Sequence, residues 1–154
     1  MMPIYKKIFF AIAGAAFLIM ILAVVYWAAH PRTLALPGAD EVVMIGMEQF
    51  NEGSGLGPAV VTGRTNIGVV LSALSTAKKT LGTSVNDYPV SDNYLVVRII
   101  LKNERRTVCL YSEHGRYYAE EPYIGIYKSS REASVALYKI YNASTGVLPA
   151  GINE

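Results

Sequence analysis

The chain has 154 residues, 52% of them hydrophobic and 17% charged, with a net charge of +2. That charge sits near the N-terminus: with Lys6, Lys7 and Arg32 set aside, 11 basic residues remain against 12 acidic ones. A domain this close to neutral lacks the basic patch that nucleic-acid binding needs, and a single cysteine, Cys109, excludes an intramolecular disulfide.

Residues 8–29 are uncharged and largely apolar, and Lys6 and Lys7 precede them. As a helix rising ~1.5 Å per residue they cover ~33 Å, about the hydrocarbon thickness of a bilayer. A cleavable signal has a shorter apolar core and small residues at its exit. Here Tyr26 and Trp27 stand where those small residues would be, as interfacial aromatics do in a membrane span. The expectation is an uncleaved signal-anchor within residues 1–32. It places the chain in the cell membrane as a single-pass protein, N-terminus cytoplasmic and the rest extracytoplasmic, with residues 8–29 contacting lipid.

Residues 33–40 (TLALPGAD) read as a linker punctuated by Pro37-Gly38. Alternation of Val43, Ile45 and Met47 with Met44, Gly46 and Glu48 predicts a strand over 41–50. A glycine-rich loop follows, then a short strand over 59–62. Ile67, Val70, Leu71, Leu74 and Ala77 have helical spacing, with Thr65 or Asn66 as cap and Lys78 and Lys79 suited to the helix C-terminus. Residues 81–92 form a polar, turn-rich connection. Strands are expected over 93–101, 107–113 and 116–121, the last two joined by a tight turn at His114-Gly115. Ser129-Ser130-Arg131-Glu132 reads as a capping box opening a helix to about Asn142, and residues 143–154 as a loose tail. The order β-β-α-β-β-β-α gives an α+β domain over 41–142, with a mainly antiparallel sheet of about five strands on two helices.

Register assigns the sheet faces. A two-residue turn at His114-Gly115 pairs Tyr111 with Tyr118, and a four-residue turn at 102–105 pairs Val97 with Leu110 and Ile99 with Val108. Leu95, Val97, Ile99, Val108, Leu110, Tyr117 and Ala119 then share one face and pack on the helices. The opposite face carries Tyr94, Val96, Arg98, Cys109, Tyr111, Glu113, Arg116, Tyr118 and Glu120. Tyrosine combines apolar area with a polar tip, so Tyr94, Arg98, Tyr111, Tyr118 and Glu120 are candidate partner-binding residues on a face that otherwise reads as ordinary solvated sheet.

Seven of the 11 tyrosines fall between Tyr88 and Tyr127. Two motifs stand out there, SVNDYP at 84–89 and EPYIGIY at 121–127. Together with LPGADEV at 36–42, SALSTAKKT at 72–80 and CLYSEHGRYYAEEPY at 109–123, they resemble a family of small membrane-anchored extracytoplasmic domains of unknown function from Gram-positive bacteria. The resemblance covers nearly all of residues 36–141 and implies a location and a fold, with no activity to carry over. Glu121 stands where that family usually has glutamine. Asn86, Asp87, Tyr88, Tyr123 and Tyr127 are candidates for a groove built by the two motifs, beside the plainer reading that these segments only hold loop and strand together. Gly125 is expected to allow a positive φ or a close backbone contact.

No catalytic, cofactor or metal-binding constellation is expected. Cys109 has no base at suitable spacing, His30 and His114 are far apart in sequence, and Glu120 and Glu121 point to opposite faces of a strand. The glycines at 53, 55 and 57 are not followed by the helix start of a phosphate loop. The expected function is a non-enzymatic interaction or sensing module that binds an envelope protein or cell-wall component. Alternatives are an auxiliary or inhibitory subunit of a membrane enzyme or transporter complex, and an envelope hydrolase resting on Asp87, Glu120 and Glu121.

Overall fold

In the computed structural model, residues 3–29, 33–51 and 57–145 are described, and they fall into two units that divide between Arg32 and Thr33. The first unit holds helix α1, Ile4–Ala29. Over residues 12–25 its side chains are apolar and exposed, Ile12, Phe17, Leu18 and Val24 among them. Among the described residues no helix is long and apolar enough to cross a membrane. Within α1 the side chains described without a break are those of residues 12–26, about four turns, so the span expected over 8–29 extends beyond them.

The second unit is α+β. Its strands are β1 (Val42–Asn51), β2 (Ala59–Val61), β3 (Lys78–Lys79), β4 (Asn93–Leu101), β5 (Arg105–Glu113), β6 (Arg116–Glu121) and β7 (Gly125–Ser129). Its helices are α2 (Arg64–Ser75) and α3 (Arg131–Ser144). The strands form one antiparallel sheet in the order β2-β1-β4-β5-β6-β7-β3. The expectation of about five strands is corrected by β3 and β7. Lys78 and Lys79 do not finish α2, which ends at Ser75; they pair with Lys128 and Tyr127. Nor does Thr65 or Asn66 cap α2, since its N-cap is Gly63, with no side-chain cap bond. The cap of α3 is Ser130, one residue later than Ser129 of the expected Ser129-x-x-Glu132 box, its hydroxyl accepting from the Ala133 N–H at 3.0 Å.

His114 and Gly115 both have positive φ, 48° and 73°, as a type I′ hairpin turn requires. The β5–β6 register follows as expected, with Tyr111 opposite Tyr118 and Leu110 opposite Ala119. The β4–β5 register differs by two residues: Val97 lies opposite Val108, and the Leu101 N–H donates to the Glu104 carbonyl at 2.9 Å, so the turn is two residues, not four. A shift of two preserves side-chain parity, and the face assignments stand. Leu95, Val97, Ile99, Val108, Leu110 and Ala119 are buried with Ile67, Val70 and Leu74 of α2 and Leu137 and Tyr141 of α3. Tyr117, expected among them, is half-buried at the end of the sheet and outside this cluster.

The segment at 33–40 is part of the domain, not a free linker. Leu34 is buried in the core, its N–H donates to the Ala77 carbonyl at 3.3 Å, and Thr33 bridges Lys78 antiparallel. At the other end, α3 runs to Ser144 and Thr145 bridges Ala59. The expected tail from 146 onward lies outside the described residues.

Candidate functional site

The tyrosine face is not an open surface. The connection between β3 and β4 crosses it: Ser84 is buried against Glu120 of β6, and the Tyr88 ring packs near Phe50 of β1 and Tyr94 of β4, at 6.2 and 5.9 Å between centroids. Beneath this crossing Val96 and Cys109 are fully buried, apart from the main core. Tyr94 stacks on Phe50 at 5.1 Å, and Tyr111 on Tyr118 at 5.4 Å. Such ring pairs hold neighbouring strands together.

Glu120, expected at a partner surface, is instead internal, with 5% of its surface exposed. The Ser84 hydroxyl donates to its Oε1 at 2.7 Å. Burial first, then the charge of Glu120 and a hydrogen bond to it, push the Tyr111 hydroxyl well above its usual range. Cys109 lies opposite Glu120 on β5. Burial, reinforced by the Glu120 charge against a smaller opposing effect of Arg98, pushes its thiol up to about 12. Such a thiol stays protonated and is a poor nucleophile.

Ser84 also accepts, at 3.1 Å, from the Tyr123 main-chain N–H. Tyr123 is the third residue of the turn Glu121-Pro122-Tyr123-Ile124, closed by the Ile124 N–H donating to the Glu121 carbonyl at 3.0 Å. Its φ is 61°. That is the third position of a type II turn, where proline commonly precedes and glycine is preferred. Of the two roles expected of Gly125, the positive φ falls instead to a tyrosine, at a cost of about 1–2 kcal/mol, and a Cβ at Gly125 would meet Lys79 Cε at 3.4 Å, an ordinary contact. A hydrogen bond to Asp87 holds its exposed hydroxyl, raising the pKa of that group.

Glu121, next to Glu120, points to the other face, as strand alternation requires. It is 5% exposed and takes the Arg106 guanidinium, through Nε at 3.0 Å and through Nη2. Arg106 also donates from Nη1 to the Ala35 carbonyl, fastening the 33–40 segment to the sheet. Sequence reasoning missed Arg106; the available signal was a carboxylate in a strand position reserved for core.

These elements enclose a groove of about 500 Å³. Asp87, Tyr88 and Tyr123 line it, as expected of the two motifs, and Arg98 of the sheet face joins them from its 2.7 Å ion pair with Glu48. Glu104, Arg105, Arg106 and Thr107 form the hairpin side. Asn86 is exposed outside the lining, and Tyr127 is buried in the core, so neither belongs to the groove. The lining offers alternating cationic, anionic and hydroxyl groups beside two aromatic rings. It suits recognition by hydrogen bonding and stacking. Among the described residues no cluster of His, Cys, Asp or Glu could hold a metal ion.

Comparison with solved structures gives a likeness to the NMR structure of a protein from Ruminococcus gnavus. It is 29% identical, with a TM-score of 0.53, over 66% of this chain and 98% of that one. No curated protein matches. The family model DUF5301, described as a domain of unknown function (DUF5300), matches residues 30–128, a range that contains every groove-lining element. The chain therefore belongs to the DUF5301 family.

Proposed function

We propose that the chain is a non-catalytic interaction or sensing module of the bacterial, Gram-positive type, anchored by its N-terminal helix with the α+β domain on the extracytoplasmic side. The groove between the 84–88 loop, the β4–β5 hairpin and the 121–124 turn receives an envelope protein or a cell-wall component. The observation that carries this reading is Tyr123: a residue held at positive φ, with an exposed ring, by two separate hydrogen-bonding groups of another loop. Strain of this kind persists where surrounding structure enforces it, and binding sites are where it collects. The anchor is supported by the uncharged run at 8–29, the preceding lysines and the bare apolar side chains of α1.

Photo-crosslinking tests the groove. A benzophenone side chain at position 105, in the full chain in intact membranes, is expected to give a discrete adduct that is absent with the same group at position 135 on α3. Equal adduct patterns at both positions would remove the groove as the binding site.

A further inference from the structure

Three arginines line the groove, and their donors are not equally committed. Arg106 is spent on Glu121 and the Ala35 carbonyl. Arg98 commits only Nη1, to Glu48 at 2.7 Å. Among the described residues no buried side-chain donor lacks a partner, so its other N–H groups reach the open groove. Exposed Arg105 makes no ion pair among the described residues. Arg98 lies opposite Thr107 and Arg105 opposite Ile100, which makes the two arginines diagonal neighbours on one face of β4 and β5. Such positions are about 7–8 Å apart between Cα atoms, within reach of long side chains. Thr107 sets a hydroxyl beside both. On the other flank of Arg98 stands Gly46, where an added Cβ would meet nothing nearer than the Arg98 Cβ at 3.9 Å. A glycine inside a strand marks a place that a ligand or another chain approaches closely.

Two guanidinium forks on one space, with a hydroxyl beside them, fit an oxyanion. The acidic groups decide which. Asp87 lines the loop side, its carboxylate accepting from the Tyr123 hydroxyl, and Glu104 makes no ion pair among the described residues. With Glu121 the lining holds three carboxylates against three arginines. That balance repels a polyanion, whereas a chain with one carboxylate and several N–H donors satisfies both signs. The exposed rings of Tyr88 and Tyr123 supply apolar walls for its last side chain. We infer that the groove captures a peptide by its C-terminus: the terminal carboxylate sits between Arg98 and Arg105, and Asp87 accepts from a main-chain N–H upstream. The inference rests on the reading of the groove as the partner site and names the chemistry of what enters it.

Amide and arginine side-chain NMR signals of the full chain in detergent micelles test this. The probes are random pools of N-acetyl tripeptides with a free carboxylate, the same pools amidated, and inorganic phosphate. The free-acid pools are expected to shift the Thr107 and Asp87 amides and the Arg98 Nε–H at about fivefold to tenfold lower concentration than the amidated ones. Arg105→Gln, a change to an exposed side chain, should erase that difference while core amides such as Leu110 keep their positions. Pools of L- and of D-residues separate a protein tail from a cell-wall peptide, since cell-wall peptides end in D-residues. Equal response to acid and amide would overturn the carboxylate clamp and leave the groove as a peptide site. Phosphate acting as well as the free acid would overturn the peptide assignment in favour of a plain anion site. No response to any probe would also overturn the clamp, and the groove itself is then judged by a benzophenone at position 124, which leaves both arginines in place. An adduct there keeps the groove as the partner site, and its absence removes groove and clamp together.

Discussion

The main-chain N–H of Tyr123 donates to the Ser84 hydroxyl at 3.1 Å, across 39 residues of sequence. The same hydroxyl donates to buried Glu120 at 2.7 Å. One serine thus fixes the strained turn, the crossing loop and an internal carboxylate. Ser84→Ala removes both hydrogen bonds and leaves Glu120 short of a donor. The expected loss is about 1–3 kcal/mol in urea unfolding, with faster hydrogen exchange at the Tyr123 amide than at core amides such as Leu110.

Positive φ at Tyr123 makes a signed prediction. Glycine at that position relieves the backbone, whereas alanine removes the ring and keeps the strain. Tyr123→Gly should therefore exceed Tyr123→Ala in stability by about 1 kcal/mol, measured as the difference between their unfolding midpoints at equal slope. An equal or reversed order would show that the turn is not strained.

Arg106 bonds to Glu121 and to the Ala35 carbonyl. Arg106→Ala leaves a nearly buried carboxylate unpaired and frees the 33–40 segment, at an expected cost of about 3 kcal/mol, the lower part of the range for broken buried pairs because Arg106 keeps some exposure. Cleavage within 33–40 by proteases that cut after leucine or alanine should accelerate in step. A double-mutant cycle with Glu121→Gln would assign the share of the ion pair and the share of the Ala35 bond.

The Cys109 thiol is pushed up to about 12, and its unfolded counterpart titrates near 9. As pH rises through that interval the unfolded chain loses the proton first, so unfolding becomes more favourable and stability falls. Urea midpoints from pH 8 to pH 11 should decline more steeply for the parent than for Cys109→Ala. At pH 8 the native thiol should resist a disulfide reagent that labels it at once in denaturant.

Sequence patterning revealed the sheet wherever periodicity and turn chemistry agreed. His114-Gly115 fixed one hairpin, and the alternation from Leu95 to Ile99 fixed which side chains face the helices. The 102–105 turn has no comparable signal, and it is two residues shorter than expected, a difference to which parity is blind. β3 is too short to have a period, and its lysines fit a helix end equally well. The crossing of 81–92 was illegible because its hold on the sheet comes from single contacts: Ser84 with Glu120, Tyr88 with Phe50 and Tyr94. Asp87, Tyr88 and Tyr123 were legible as groove residues because their motifs are compact. Tyr127 was not, since a strand through the EPYIGIY motif turns its ring inward.

Glu120 and Glu121 are consecutive, both buried, and committed to different partners on opposite faces of β6. Tyr-Tyr-Ala before them could slide along β5 with little penalty, because tyrosine is tolerated on either side of a sheet. The carboxylates forbid it. A slip of one position would carry Glu120 into the apolar layer beside Tyr127 and leave Glu121 facing Cys109, each stripped of its donors. The two acids act as a key cut on both edges: β6 enters the sheet in one alignment, and the loop and turn that depend on it are placed by that single fit.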